Sequence, residues 1–190
     1  MAKQYTKNLI KTEFLKLAEH KSLKNITIAE LAEKCEINRN TFYYHYADIY
    51  TLVKEILSDE IKKVDEEFNA TFSWEESLLH AASFILDNKK ATQNIYKSID
   101  KKDIDEYLYK ICEAVMKKYI ENECDAKNIS AKERDKEIIV NFYSVALVGL
   151  FDNWIQDGMK DSPEEVIFRV GKLFDGNIER SLRRSQMLAN

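Results

Sequence analysis

A chain of 190 residues makes one or two small domains, with room for a real hydrophobic core. Apolar residues at 45% and charged residues at 33% exclude a disordered or fibrous chain. Four Gly and one Pro are too few for the turn-rich strands of a sandwich or barrel, so the chain is expected to be all-α. The net charge of −4 is unevenly spread: up to Tyr46 there are eight basic and five acidic residues, net +3, which leaves −7 for the rest. A basic head on an acidic body suits a head that meets a polyanion, with an ordinary solvated helix surface as the plainer alternative.

The first predicted helix is Thr6 to Lys21, with Ile10, Phe14, Leu17 and Ala18 at helical spacing. Thr27-Ile28-Ala29-Glu30 is a capping box, opening a helix that puts Ile28, Leu31, Ala32 and Cys35 on one face and stops at Glu36-Ile37. Asn38 offers another N-cap, for Arg39 to Tyr46. Two short helices across a three-residue break, after a longer one, outline a helix-turn-helix.

A long helix is predicted from Asp48 to about Asn69, with Ile49, Leu52, Val53, Ile56, Leu57, Ile61, Val64 and Phe68 as its stripe. Ser73-Trp74-Glu75-Glu76 caps a helix ending near Asn88, and a short helical stretch follows from about Ala91 to Ser98. Asp103-Ile104-Asp105-Glu106 is expected to cap a helix carrying Leu108, Ile111, Cys112, Val115, Met116 and Tyr119, and the polar run Glu121 to Asn128 a loop. Ser130 is expected to cap the most apolar helix, running to Trp154 and stopped by Asp157-Gly158. Ser162-Pro163-Glu164-Glu165 starts a last helix with Val166, Ile167, Val170, Leu173 and Phe174, and Arg180 to Asn190 reads as a frayed tail. The count is about nine helices. They divide into a head of residues 1–47 and a body of 48–190, with 48–69 as the connecting helix.

The chemistry sits in the second short helix. A recognition helix needs groups near its N-terminus that donate and accept at base edges, and an apolar face that anchors it. Arg39 can fork onto guanine, Asn40 onto adenine, and Thr41 offers a hydroxyl or a methyl. Phe42 and Tyr46, four apart, are expected in the core, which turns Tyr43, Tyr44 and His45 outward. Exposed aromatics of this kind suit phosphates and thymine methyls, and packing on the next helix is the alternative.

The run Ile26 to Leu52 resembles the DNA-binding domain of tetracycline-repressor family regulators, in which a Thr-capped helix and a turn precede a Thr-aromatic-Tyr-x-His/Tyr-aromatic helix. Thr27, Ala32, Ile37, Thr41, Phe42, Tyr43, His45 and Tyr46 fit that pattern. The segment from Phe42 to Tyr50 is also similar to the branch containing regulators of dihydroxyacetone kinase genes. The resemblance implies phosphate contacts from Thr27 and Tyr43, with Arg39, Asn40, Thr41, Tyr44 and His45 facing the major groove. Many members hold a phosphate with a Lys at the start of the fourth helix, where this chain has Ile49.

The resemblance also implies a homodimer built from the last two long helices. Phe142, Ala146, Gly149, Leu150 and Asn153 on one, and Val166, Val170, Leu173 and Phe174 on the other, exceed what one protomer easily buries. Ordinary core helices are the alternative. A two-fold dimer sets two recognition helices about 34–36 Å apart on one face of a palindromic operator. A pocket for an unknown small-molecule effector is implied too, with Phe84, Tyr107, Ile111, Met116, Phe142 and Tyr143 as candidate walls against plain core.

Cys35, Cys112 and Cys124 read as small reduced side chains, a redox sensor being the alternative. No HExxH, Cys-His pairing or glycine-rich phosphate loop appears, so no catalytic or metal site and no cofactor is expected. No uninterrupted apolar run approaches the ~18 residues of a membrane span, and the start lacks the apolar core of a signal peptide, so a cytoplasmic protein without membrane partners is expected. The reading is a dimeric repressor that a small molecule releases from DNA. Its rivals are a regulator of the same fold, activator or repressor, controlled by a protein co-regulator, and a helical interaction protein that no longer binds DNA.

Overall fold

A computed structural model describes residues 2–188, and the described residues are all-helical. The elements are α1 (Ala2–Ala18), a 3-10 turn (Leu23–Asn25), α2 (Ile28–Lys34), α3 (Arg39–His45), α4 (Ile49–Thr71), α5 (Trp74–Asp87), α6 (Lys89–Tyr96), α7 (Lys101–Lys127), α8 (Glu133–Gln156), α9 (Pro163–Leu173) and α10 (Asn177–Leu188). They form two compact units: residues up to Glu60 with Phe84–Ile104, and Ile61–Ser83 with the chain from Asp105 onward.

In the first unit α1, α2, α3 and the start of α4 close around Ile10, Phe14, Leu31, Phe42 and Leu52, all fully buried, with Tyr46 beside them. Segment 84–104 joins this unit by covering what the short helices leave open. Asn94 Nδ2 donates to the Ala18 carbonyl at the end of α1 (2.8 Å), and Leu23 N–H at the start of the 3-10 turn donates to Ser98 Oγ (3.2 Å).

The break between α2 and α3 has a definite cause. Ile37 N–H donates to the Ala32 carbonyl (2.9 Å) and Glu36 N–H to that of Glu33 (3.0 Å), a Schellman closure. Glu36 sits at its left-handed position, φ 53°, and Ile37 turns back onto the core.

In the second unit α7 buries Leu108, Ile111, Cys112, Val115, Met116, Ile120 and Cys124. The polar run expected as a loop is instead the last two turns of this helix. Cys124 continues the buried stripe of Ile120, while Lys127 ties to Glu123 (2.7 Å) and to Glu179 (2.8 Å). The helix also begins earlier than the expected cap, at Lys101, with Asp103 inside its first turn.

The C-terminal segment is not frayed over its described part; Ala189 and Asn190 lie outside the described residues. Ile178, Leu182 and Ser185 of α10 recur at helical spacing and are buried, which leaves Arg180, Arg183 and Arg184 outward. Nor does Ser130 cap α8. Its N-cap is Lys132, whose side chain makes no cap bond, and Ser185 serves instead, accepting from Lys132 N–H (3.1 Å) and donating to Asp135 Oδ2 (2.5 Å).

Candidate nucleic-acid interface

Thr27 and Asn38 set the ends of the two short helices as their sequence suggests. Thr27 Oγ accepts from Glu30 N–H (3.2 Å), and Asn38 Oδ1 accepts from Thr41 N–H (2.8 Å). In this cap Thr27 Oγ uses an acceptor position, which leaves its hydroxyl proton able to donate. Thr41 is half-buried and its hydroxyl donates to Asn38 Oδ1 (3.1 Å), which leaves its methyl and lone pairs uncommitted.

On α3 the burial alternates as a helix dictates. Phe42 and Tyr46 are in the core, while Arg39 and Asn40 are exposed, Tyr43 is 54% exposed and Tyr44 71%. Tyr43 packs edge-on against Phe42 (5.9 Å between centroids), which fixes the ring that faces outward. His45 differs from the outward placing: it is half-buried at the end of α3, edge-on to Tyr44 (5.0 Å), with Nδ1 sealed from solvent and without a hydrogen-bond partner among the described residues. Burial, then Lys7 and Lys3, hold its pKa below the ordinary 6.5.

Behind this helix lies a network that residue patterns did not single out. Glu55 of α4 accepts from Lys7 (2.8 Å) and from the Tyr46 hydroxyl (3.3 Å), and pairs with Lys11 (2.7 Å), which also pairs with Asp59. Burial alone raises the Glu55 pKa, but the hydrogen bonds from Lys11 and Lys7 outweigh it and bring it from 4.5 to about 2. Lys7 also lies over the Tyr46 ring (5.5 Å). The signal was available as Lys7, Lys11, Glu55 and Asp59 at one-turn spacing on two helices, but only the fold shows that those helices face each other. Ile49 is half-buried and packs against the core of this unit.

In the second unit α8 has two apolar faces. Val140, Ser144, Leu147, Phe151 and Ile155 are buried. On the other side Ile138, Phe142 (67% exposed), Val145, Ala146, Gly149, Leu150 and Asn153 are open to solvent, and a Cβ added at Gly149 would meet nothing within 4 Å. By length and composition α8 is also apolar enough to cross a membrane, with under a third of its apolar stretch buried. On α9, Leu173 is 77% exposed and Val170 half-buried, with Val166 half-buried and Phe174 exposed just past the helix end. Phe168 is exposed too, but off the Val166–Val170 stripe, with the Lys172 ammonium 5.4 Å from its ring centroid.

The six candidate wall residues are divided between the two units. Phe84 packs against the core of the first unit. In the second, Ile111 and Met116 are buried in α7, Tyr107 and Tyr143 are half-buried, and Phe142 lies on the open face. A shallow apolar groove open to solvent also lies in this unit, lined by Trp74 of α5, by Leu147, Leu150, Phe151 and Trp154 of α8 and by Pro163, Val166, Ile167 and Val170 of α9. Cys35 and Cys112 are buried, and burial raises their pKa to about 11 and about 12, so neither is a reactive thiolate; burial raises that of Cys124 as well.

A helix-turn-helix on an otherwise helical chain is the architecture of a DNA-reading regulator. A TetR-family profile described as "Transcriptional regulator C-terminal region" matches residues 72–176, more than half of the chain. The chain therefore belongs to the tetracycline-repressor (TetR) family of transcriptional regulators, and it is a regulator, not an enzyme. Among solved structures, "Dihydroxyacetone kinase operon activator DhaS" is similar in fold, with a TM-score of 0.77 over 92% of this chain and 96% of that one, at 18% identity. Among curated proteins no sequence matches.

Proposed function

We propose that this regulator is cytoplasmic and binds a palindromic operator as a homodimer, with residues 1–47 as its reading head, 48–69 as the connecting helix and 48–190 as the sensing and dimerising body. The observation that carries the reading is on α3: Phe42 and Tyr46 anchor the helix in the core, and Arg39, Asn40, Tyr43 and Tyr44 stand exposed on the side away from it. Thr27 and Tyr43 are assigned to phosphates, Arg39 and Asn40 with Thr41, Tyr44 and His45 to the major groove. The open apolar face of α8, Phe142 with Ala146, Gly149, Leu150 and Asn153, together with Val166, Val170, Leu173 and Phe174, supports the dimer: a second copy would remove this surface from water.

Repression relieved by a small molecule is the proposed mode, the effector acting by binding better to the form whose heads are wrongly spaced for DNA. The likeness to a solved structure described as an operon activator favours a second reading, activation under a protein co-regulator. A reporter gene behind the selected binding site separates the two. Expression that rises when the regulator is deleted fits repression, and expression that falls fits activation.

A further inference from the structure

The seven residues of α3 are seated chiefly by Phe42 and by Tyr46 at the helix end, whose rings lie 5.7 Å apart in the core. Apolar contact is non-directional, so it sets the depth of a helix better than its direction. A hydrogen bond is directional. The Asn38 cap is internal to this segment and cannot orient it against its neighbours. Among the described residues, the bond from the Tyr46 hydroxyl to Glu55 Oε1 (3.3 Å) is the one hydrogen bond from 39–46 to another helix. Glu55 is itself held, Oε1 by Lys11 (2.7 Å) and Oε2 by Lys7 (2.8 Å), and Lys11 also pairs with Asp59 one turn on. Both lysine side chains are largely buried, and the Lys7 ammonium lies 5.5 Å from the Tyr46 ring centroid.

We propose that Glu55 is a positioning residue for DNA reading: through the Tyr46 hydroxyl it sets the direction of α3, and Lys7 and Lys11 serve Glu55 instead of a phosphate. This role rests on the reading of α3 given above. Groups that read base edges must be held within roughly 0.5 Å and 10–20°, which asks for a directional bond at the helix end as well as an apolar seat. Lys7 and Lys11 sit one turn apart on α1 and meet Glu55 and Asp59, one turn apart on α4, so the carboxylate that orients Tyr46 is fixed from both sides. Two of the eight basic residues up to Tyr46 are then spent on carboxylates of α4 and add little to the attraction for a polyanion.

The test measures fluorescence anisotropy of the full chain on its selected duplex and on a scrambled one, across a salt series, at a temperature where melts show every variant folded. Tyr46→Phe keeps the ring and removes only the hydroxyl. It should lower the ratio of selected to scrambled affinity by about three- to tenfold, the worth of one such bond, and leave scrambled binding as in the wild type. Glu55→Ala should lower the ratio as well, and adding Tyr46→Phe to it should cost nothing further. Lys7→Met should lower the ratio and keep the salt slope, whereas losing a lysine from a phosphate reduces the slope by about one. Lys16→Met removes a charge paired with Glu13 on the same helix and should change neither. An unchanged ratio for Tyr46→Phe, equal losses on both duplexes, additive losses in the double variant, or a slope reduced by Lys7→Met overturns the role of Glu55. Wild-type protein that prefers neither duplex overturns the reading of α3 itself, and this role with it.

Discussion

The hydroxyl of Tyr46 donates to Glu55 at 3.3 Å, which joins the residue that closes α3 to α4. Lys7 and Lys11 fix the same carboxylate, so α1, α3 and α4 meet in one polar knot on the flank of an apolar core. The folded pKa of Glu55, about 2, lies below its ordinary 4.5. Its contribution is therefore present above about pH 4.5 and is lost as pH falls from there towards 2. Glu55→Gln should cost about 1–2 kcal/mol at pH 7, allowing for screening of a pair that is partly exposed, and almost nothing near pH 2. Urea denaturation of both proteins at pH 7 and in the acid range checks this.

Arg39→Ala should weaken specific binding by about 1–3 kcal/mol and relax the preference at one base pair in each half-site. Because Arg39 is exposed at the start of α3, thermal stability should change by less than about 0.5 kcal/mol. Competition binding with single-base variants of the operator reads the two effects apart from each other.

Phe142→Asp should break the dimer and leave the protomer helical. The side chain touches open solvent in the single chain, so no core is lost when it changes. Sedimentation equilibrium should give the mass of one chain, and the melting temperature, which should depend on protein concentration in the wild type, should no longer do so. Gly149→Leu should act the same way, since the open space at Gly149 is where a helix of the second copy would approach in the proposed dimer.

Ser185→Ala removes the acceptor for Lys132 N–H and the donor to Asp135, both at the start of α8. With no cap of its own, α8 should lose about 1–2 kcal/mol of support. Protection of amides in the first turn of α8, followed by hydrogen exchange, should fall before that of Val140 and Ser144 further along the helix.

Much of the head was legible because its signals are local. Thr27, Asn38 and the four-residue spacing of Phe42 and Tyr46 act within one turn of backbone, where residue type and geometry are tightly coupled. What escaped depends on partners distant in sequence. The cap of α8 is Ser185, over fifty residues away, while Ser130 beside it has the right chemistry and makes no such bond. Polar composition suggested a loop from Glu121 and a frayed end from Arg180, yet one buried side chain per turn, Cys124 in α7 and Leu182 in α10, suffices to hold each helix. On α8 the apolar residues cover two faces, and periodicity cannot say which of them the protomer buries: it is Val140, Leu147 and Phe151, with Phe142 and Val145 left outside. His45 combines both cases, since its place on α3 is local but its half-burial beside Lys3 and Lys7 is set by how α1 crosses α3.

In the function proposed above, α3 reads DNA as half of a symmetric pair. Selection of purified protein against random duplex DNA near physiological salt tests it most directly. An inverted repeat whose half-sites lie about one helical turn, or a multiple of it, apart should be enriched. Enrichment of no sequence, or of a single site without two-fold symmetry, would contradict it.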